Sequence, residues 1–203
     1  MKITGTGMAH HTRSRRHLPE DEAARRRWQH PPESILEGIG LAFGSTFIDV
    51  GCGEGGFFAL PAARMVGPHG RVCGIDIDAE ALDLLQEKAF REGGLDNVVL
   101  HRGGMAEEIV LCSGCADVVF FGIDLHDFVD PVRVLRNANR MVSGSGLIVD
   151  MDWKKEPLPL GPPPGKKFSP EHAAALMTEA GLEVRAVAES GPYHYIVTAV
   201  AGG

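Results

Sequence analysis

Three glycines at alternate positions, Gly51, Gly53 and Gly55, follow the apolar run Phe47-Ile48-Asp49-Val50, with Gly56 behind them and Asp49 two residues ahead of the first. Glycine carries no Cβ, so such a turn bends sharply and lets the backbone approach a ligand closely. A helix starting near Gly56 would point its unpaired N–H groups at whatever occupies the turn. The chemistry this spacing supports is the holding of a nucleotide-like cofactor. A turn that only packs a helix on a sheet needs neither three glycines nor an acid at the strand end.

Two cofactors compete for these letters. Gly51-Cys52-Gly53-Glu54-Gly55-Gly56 satisfies G-x-G-x-x-G, and Asp76 lies about twenty residues further on, where the dinucleotide fingerprint wants an acid for the ribose. Asp49 separates the two. A carboxylate at this turn repels a diphosphate and attracts a cation, such as the ammonium of the amino-acid end of S-adenosylmethionine. The run Ile48-Asp49-Val50-Gly51-Cys52-Gly53-Glu54-Gly55 resembles motif I of the class I S-adenosylmethionine-dependent methyltransferases. The similarity runs from about Glu33 to the end and is nearest to the type-11 group, which includes quinone C-methyltransferases. Within it, Asp152-Trp153-Lys154-Lys155-Glu156 and Gly191-Pro192-Tyr193-His194-Tyr195 resemble a small prokaryotic branch.

The resemblance implies that Asp49, Gly51, Gly53 and Gly55 hold the cofactor, that Asp76 takes the ribose hydroxyls, and that Ile77 lies against the adenine. A carboxylate accepting two hydroxyl protons is a good ribose clamp; Asp78 reads instead as a helix cap. One position departs from the family. Its Gly-Asp-Ala-Glu-Glu is here Gly104-Met105-Ala106-Glu107-Glu108, so Met105 stands where an aspartate takes the adenine amino group. A thioether packs well but accepts hydrogen bonds poorly, which predicts weaker adenine recognition. The backbone N–H of Ala106 would still serve a ring nitrogen.

In open α/β sheets the ligand lies beyond the carboxyl ends of the strands. Asp124, His126, Asp152, Trp153, Tyr193 and His194 fall at that edge and are expected to face one cleft. Methyl transfer from a sulfonium needs mainly alignment in a dry pocket. A base is required only where the acceptor must lose a proton, and Asp124 or His126 is assigned that work; a capping or supporting role is the alternative for His126. Trp153 reads as packing, and Lys154 and Lys155 as a solvated face. The chain has Phe121-Gly122-Ile123-Asp124 where Asn/Asp-Pro-Pro-Tyr/Phe would follow the fourth strand, which disfavours nucleobase amino groups and glutamine amides as acceptors. Cys112-Ser113-Gly114-Cys115 is half a zinc site without a second pair, so it reads as structural thiols and no metal is expected.

These groups need elements to position them. Strands are expected at 46–50, 71–76, 97–101, 116–122 and 146–152, with helices near 56–66, 79–92, 105–111 and 131–142 between them. Such alternation implies a mostly parallel sheet with helices on both faces. Ahead of it come short helices at 20–28 and 33–41. After a proline-rich loop, Ser169-Pro170-Glu171 opens a helix closed by Gly181. Runs at 182–189 and 193–200, joined at Ser190-Gly191-Pro192, must be antiparallel. The expected fold is therefore a Rossmann-like, seven-stranded, mostly parallel α/β sheet ending in an antiparallel hairpin.

Charge is unevenly spread along the 203 residues, whose formal balance is −7. Residues 1–30 hold seven Lys/Arg against three Asp/Glu, and residues 31–203 hold 13 against 24. The first stretch reads as a basic arm with His10, His11 and His17, the second as one domain. An acidic body disfavours nucleic acid as a partner. Four cysteines without an apolar leader fit a reducing cytoplasm, and no stretch reaches the length of a membrane span. The function expected is methyl transfer from S-adenosylmethionine to a small or medium acceptor. The alternatives are a nicotinamide oxidoreductase and a non-catalytic S-adenosylmethionine-binding regulator.

Overall fold

The computed structural model describes residues 31–104, 111–159 and 161–202. The expected arm with its helix at 20–28, nearly all of the expected helix at 105–111, and the candidate residues Met105 and Ala106 lie outside the described residues.

Helix α1 (Pro32–Gly38) precedes an alternating series: β1 (Thr46–Val50), α2 (Ala59–Val66), β2 (Arg71–Asp76), α3 (Ala79–Arg91), β3 (Val98–Arg102), β4 (Ala116–Gly122), α4 (Pro131–Met141) and β5 (Val142–Trp153). Then follow α5 (Pro170–Glu179), β6 (Leu182–Ser190) and β7 (His194–Ala201). The seven strands form one sheet in the order β3-β2-β1-β4-β5-β7-β6. The first five pair in parallel, while β7 runs antiparallel to both β5 and β6. The order reverses at β1 and β4, so the topological switch point lies between Asp49 and the end of β4.

Caps fix where the helices begin. Asp78 accepts from the N–H groups of Glu80 and Ala81 at the start of α3, Asp130 accepts from Arg133 N ahead of Pro131, and Ser169 accepts from His172 N before α5. Each satisfies a donor that the helix leaves unpaired. Helix α2 begins at Ala59 rather than near Gly56, because Gly56 takes φ +54° and a left-handed residue cannot enter a right-handed helix. Strand β5 begins at Val142, four residues earlier than expected. Its first residue pairs with Ala116, and a bulge then restores the register at Val118 and Leu147.

Two apolar layers sandwich the sheet. One face packs Ile48, Ile75, Val119, Phe121, Ile148 and Val197 against α4 and α5; the other packs Phe47, Val72, Phe120 and Met151 against α1, α2 and α3. Phe58 at the start of α2 stacks on Phe120 at 4.5 Å between ring centroids. These layers hold the strand ends rigidly enough for side chains beyond them to have defined positions. No helix among the described residues is long and apolar enough to cross a membrane.

Candidate active site

The glycine turn leaves β1 with Gly51 at φ +68° and Gly53 at φ +60°, conformations that other residues adopt only with strain. Gly51 N donates to Ile75 O at 2.8 Å, tying the turn to the end of β2. A Cβ built on Gly53 or Gly55 would meet nothing within 4 Å, so the outer side of the turn is open. A Cβ on Gly51 would lie 2.5 Å from Asp124 Cγ and closer still to Oδ2. The Asp124 carboxylate thus packs directly on the turn. It is carried there by Ile123, the one described non-glycine residue with a positive φ, at 65°, whose N–H donates to Met151 O at 2.7 Å. A left-handed β-branched residue is strained, and strain of this kind is commonly kept where it aims a neighbouring side chain.

Three carboxyls therefore ring the turn: Asp49, Asp76 and Asp124, each 3% exposed. Asp49 accepts the N–H of Ala59, the first amide of α2. The leading amide of that helix is thus taken by a carboxyl of the chain itself, where the sequence suggested it would face a ligand. Burial, and then the charges of Asp124 and Asp76, push the Asp49 carboxyl well above the usual carboxylate range. Asp76 accepts from Gly53 N at 2.9 Å through Oδ2 and from Asp78 N at 3.0 Å through Oδ1. The two bonds hold its carboxylate at the mouth of the turn. Ile77, next along, is 49% exposed beside them.

His126 lies in a short 3-10 turn, Leu125–Asp127, that follows β4. Its Nδ1 is 2.7 Å from Asp152 Oδ2, and its Nε2 is 3.3 Å from Asp127 Oδ1. The imidazole is nearly buried, whereas the Asp127 side chain is about half exposed. Asp152 alternates with Asp150 along β5, so both point to the face of the sheet covered by α4 and α5. Asp150 is fully buried against the Tyr195 hydroxyl without a hydrogen bond of good geometry. Burial first, then the Asp152 charge, hold its carboxyl well above the ordinary range, and the Tyr195 phenol is pushed upward by burial and by the same acids.

The six residues expected in one cleft divide into three groups, the first being Asp124 alone on the glycine turn. Asp152 joins His126 below the strand ends. Trp153 and His194, paired across β5 and β7, turn to the other face with ring centroids 4.4 Å apart, and Ile123, Leu158 and Tyr193 pack around them. Gly161 is pressed on the Trp153 ring, where a Cβ would come within 2.8 Å of it. Lys167 Nζ lies 5.7 Å from the ring centroid and donates to Glu156 O at 3.1 Å. Trp153 is thus a packing residue. Lys154 is less solvated than expected, since it pairs with Glu189 at 3.1 Å. Cys112 and Cys115 are joined in a disulfide, not held as separate thiols, at the opposite end of the strands. Asp150, Tyr195 and Lys167 were not singled out from sequence. The alternation of acids in Asp150-Met151-Asp152, inside an otherwise apolar strand, is the signal that points to the first.

The arrangement can hold a cation at the switch point and orient one imidazole beside it. Comparison with known proteins agrees with that chemistry. Residues 42–192 match the family described as "Methyltransferase domain". Among curated proteins, the demethylmenaquinone methyltransferase of Staphylococcus aureus is 29% identical over 126 residues, which is 62% of this chain and 50% of that protein. The chain thus spans about half the length of the curated relatives it matches. An S-adenosylmethionine-dependent methyltransferase from Aquifex aeolicus superposes with a TM-score of 0.77 at 32% identity, covering 83% of this chain and 88% of that one. A TehB-like methyltransferase from Corynebacterium glutamicum shares the fold, with a TM-score of 0.68 at 14% identity over 88% of this chain and 91% of the other. With its turn, its seven-stranded order and these matches taken together, the chain belongs to the class I S-adenosylmethionine-dependent methyltransferases.

Proposed function

We propose that the protein transfers a methyl group to a small or medium organic acceptor, with the cofactor held by Asp49, Gly51, Gly53, Gly55, Asp76 and Ile77 and with Met105 and Ala106 beside its adenine. The observation that carries this is the ring of buried carboxyls around an open glycine turn. Such a donor set fits a molecule with an ammonium, a sulfonium and two ribose hydroxyls, and it would repel a pyrophosphate. When bound, the cofactor supplies an electrophilic methyl whose leaving group is a neutral thioether. What remains for the chain is alignment and exclusion of water, which account for most of the acceleration in a reaction of this kind. The name of the Staphylococcus aureus relative supports an organic acceptor of low molecular mass.

For an acceptor that must lose a proton, Asp124 and His126 were both candidates to take it. Asp124 packs on Gly51 and belongs with the cofactor carboxyls, so His126 is carried forward. Its Nδ1 proton held by Asp152 leaves Nε2 as the basic atom once Asp127 swings toward solvent. Isothermal calorimetry with S-adenosylmethionine tests the cofactor site: wild type should bind, and Asp76→Ala should bind at least tenfold more weakly. Tight binding of reduced nicotinamide dinucleotide in place of S-adenosylmethionine would overturn the reading. Cofactor binding without turnover over a broad acceptor panel would favour a regulator instead.

A further inference from the structure

The glycine turn rests on β2 and α3 along nearly its whole length. Gly51 N and Cys52 N both donate to Ile75 O, at 2.8 and 3.1 Å, and Gly53 N donates to Asp76 Oδ2. Gly56 sits so close to α3 that a Cβ built on it would lie 2.3 Å from Leu85 Cδ1. Three residues further along the same face of that helix, Lys88 Nζ donates to Gly55 O at 2.8 Å. Glu92, just past the end of α3, lies beside the ammonium with Oε1 at 3.9 Å, and its Oε2 pairs with Arg64 of α2. A chain of charged groups thus runs from α2 over α3 to the second half of the turn. Leu85 is a core residue, and Ile75 gives only its backbone carbonyl. Lys88 is different. It is partly exposed, and the described partners of its ammonium are Glu92 and the turn.

We propose that Lys88 is a positioning residue for the cofactor, holding the Gly55 carbonyl so that the turn keeps its binding shape while empty. This rests on the cofactor site proposed above. Glycine has wide conformational freedom, and the outer side of Gly53 and Gly55 is open. A turn left loose must be ordered at the moment of binding, and that ordering weakens affinity. A bond from a charged donor, discounted for its exposure to solvent, changes affinity about three- to tenfold. The sign separates this role from plain electrostatics. The ammonium of Lys88 repels the sulfonium of S-adenosylmethionine, so a lysine acting through its charge alone would hinder binding, and its removal would tighten it. Removal of a lysine that acts through the carbonyl weakens S-adenosylmethionine and S-adenosylhomocysteine alike, although the second carries no sulfonium.

The test is calorimetry on the full chain with both ligands, backed by amide hydrogen exchange of the ligand-free protein. Lys88→Met should bind each ligand about three- to tenfold more weakly, with a urea unfolding midpoint close to that of wild type. The amides of residues 53–58 should exchange faster in that variant, and those of β4 at the wild-type rate. Lys88→Arg, which keeps a charged donor, should recover most of the affinity. Glu92→Gln, which removes the charge beside the ammonium, should shift affinity in the same direction as Lys88→Met but by less. Arg91→Met is the control, since the Arg91 Nε donates to Glu87 O of its own helix, and it should match wild type. Unchanged or tighter binding in Lys88→Met, an equal loss in Arg91→Met, or a loss of affinity that merely follows a lower unfolding midpoint overturns the proposal and leaves the cofactor site standing. If wild type binds neither ligand, both fall.

Discussion

His126 and Asp152 form a buried imidazole–carboxylate pair, with Nδ1 and Oδ2 2.7 Å apart, that ties the turn after β4 to the last residues of β5. The shorter contact favours the proton on Nδ1, with Asp127 Oδ1 3.3 Å from the other ring nitrogen. Removal of the histidine leaves a carboxylate without this partner. His126→Asn should lower kcat at least tenfold for an acceptor that loses a proton, with little change in cofactor affinity. Asp152→Asn should do the same and shift the pH profile of kcat. Each should cost about 1–3 kcal/mol of stability through the orphaned partner. Urea unfolding and steady-state kinetics over pH check this, and an unchanged pH profile in Asp152→Asn would sink the pairing as a catalytic device.

Gly51 and Gly53 make a matched comparison. Both have left-handed backbones, so alanine at either should cost roughly 1–2 kcal/mol from conformation alone. Only at Gly51 would the new methyl strike Asp124. Gly51→Ala should therefore be the more destabilised of the two, and Asp124→Ala should recover part of the excess in a double-mutant cycle. Equal losses at the two glycines, with no coupling to Asp124, would contradict the packing described.

Asp76 holds two backbone amides as well as facing the proposed ribose site. Asp76→Ala should lower stability by about 1–3 kcal/mol through the unpaired N–H groups of Gly53 and Asp78. Asp76→Asn keeps one acceptor oxygen and should lie between that variant and wild type in thermal unfolding. An alanine variant as stable as wild type would mean that the turn does not depend on this carboxylate.

Asp150 gives a stability effect with a definite sign. Its carboxyl titrates higher in the folded protein than in the unfolded chain, owing to burial and to Asp152, with Tyr195 and Asp124 also facing it. The folded state therefore binds the proton more tightly. Its advantage is complete below the ordinary carboxylate pKa and is lost as pH rises toward the folded titration, at up to about 1.4 kcal/mol per pH unit. Asp150→Asn should remove that part of the slope and raise stability at neutral pH. Asp49, displaced in the same direction, should leave some slope behind. Urea unfolding across mildly acidic to neutral pH measures both, and a lower stability of Asp150→Asn at neutral pH would contradict the prediction.

The Cys112–Cys115 bridge closes a very short loop, with a sequence separation of three. In the chain-entropy view such a closure is worth about 2 kcal/mol. A reductant should lower the unfolding midpoint modestly while leaving cofactor affinity unchanged, because the bridge lies at the end of the strands away from the turn.

Much of the fold was legible because burial writes itself into local pattern. β2 and β4 are largely apolar runs ending at Asp76 and Gly122, and both strands have the expected limits. The caps Asp78, Asp130 and Ser169 are likewise local signals. What escaped depends on contacts distant in sequence. The strand ends bring His126 and Asp152 to one cleft, but at 26 positions apart nothing in either neighbourhood shows that the two bond to each other. That Asp124 lies on Gly51 follows from a positive φ at Ile123, a conformation that an isoleucine does not advertise. The late start of α2 belongs to the same class, since it follows from the left-handed Gly56. The division of Asp152 from Trp153 is different in kind: neighbouring residues of a strand point to opposite faces, so the alternation along β5 already separates them.

Trp153 is one of only two tryptophans in the chain, and it is held between Gly161, His194 and Lys167. An indole in contact with a cation and an imidazole changes its emission when either moves. With Trp28 replaced by phenylalanine, the protein would carry a single built-in fluorophore at the root of the proline-rich segment. Any shift of that segment as substrates come and go would then be visible in real time, without a label.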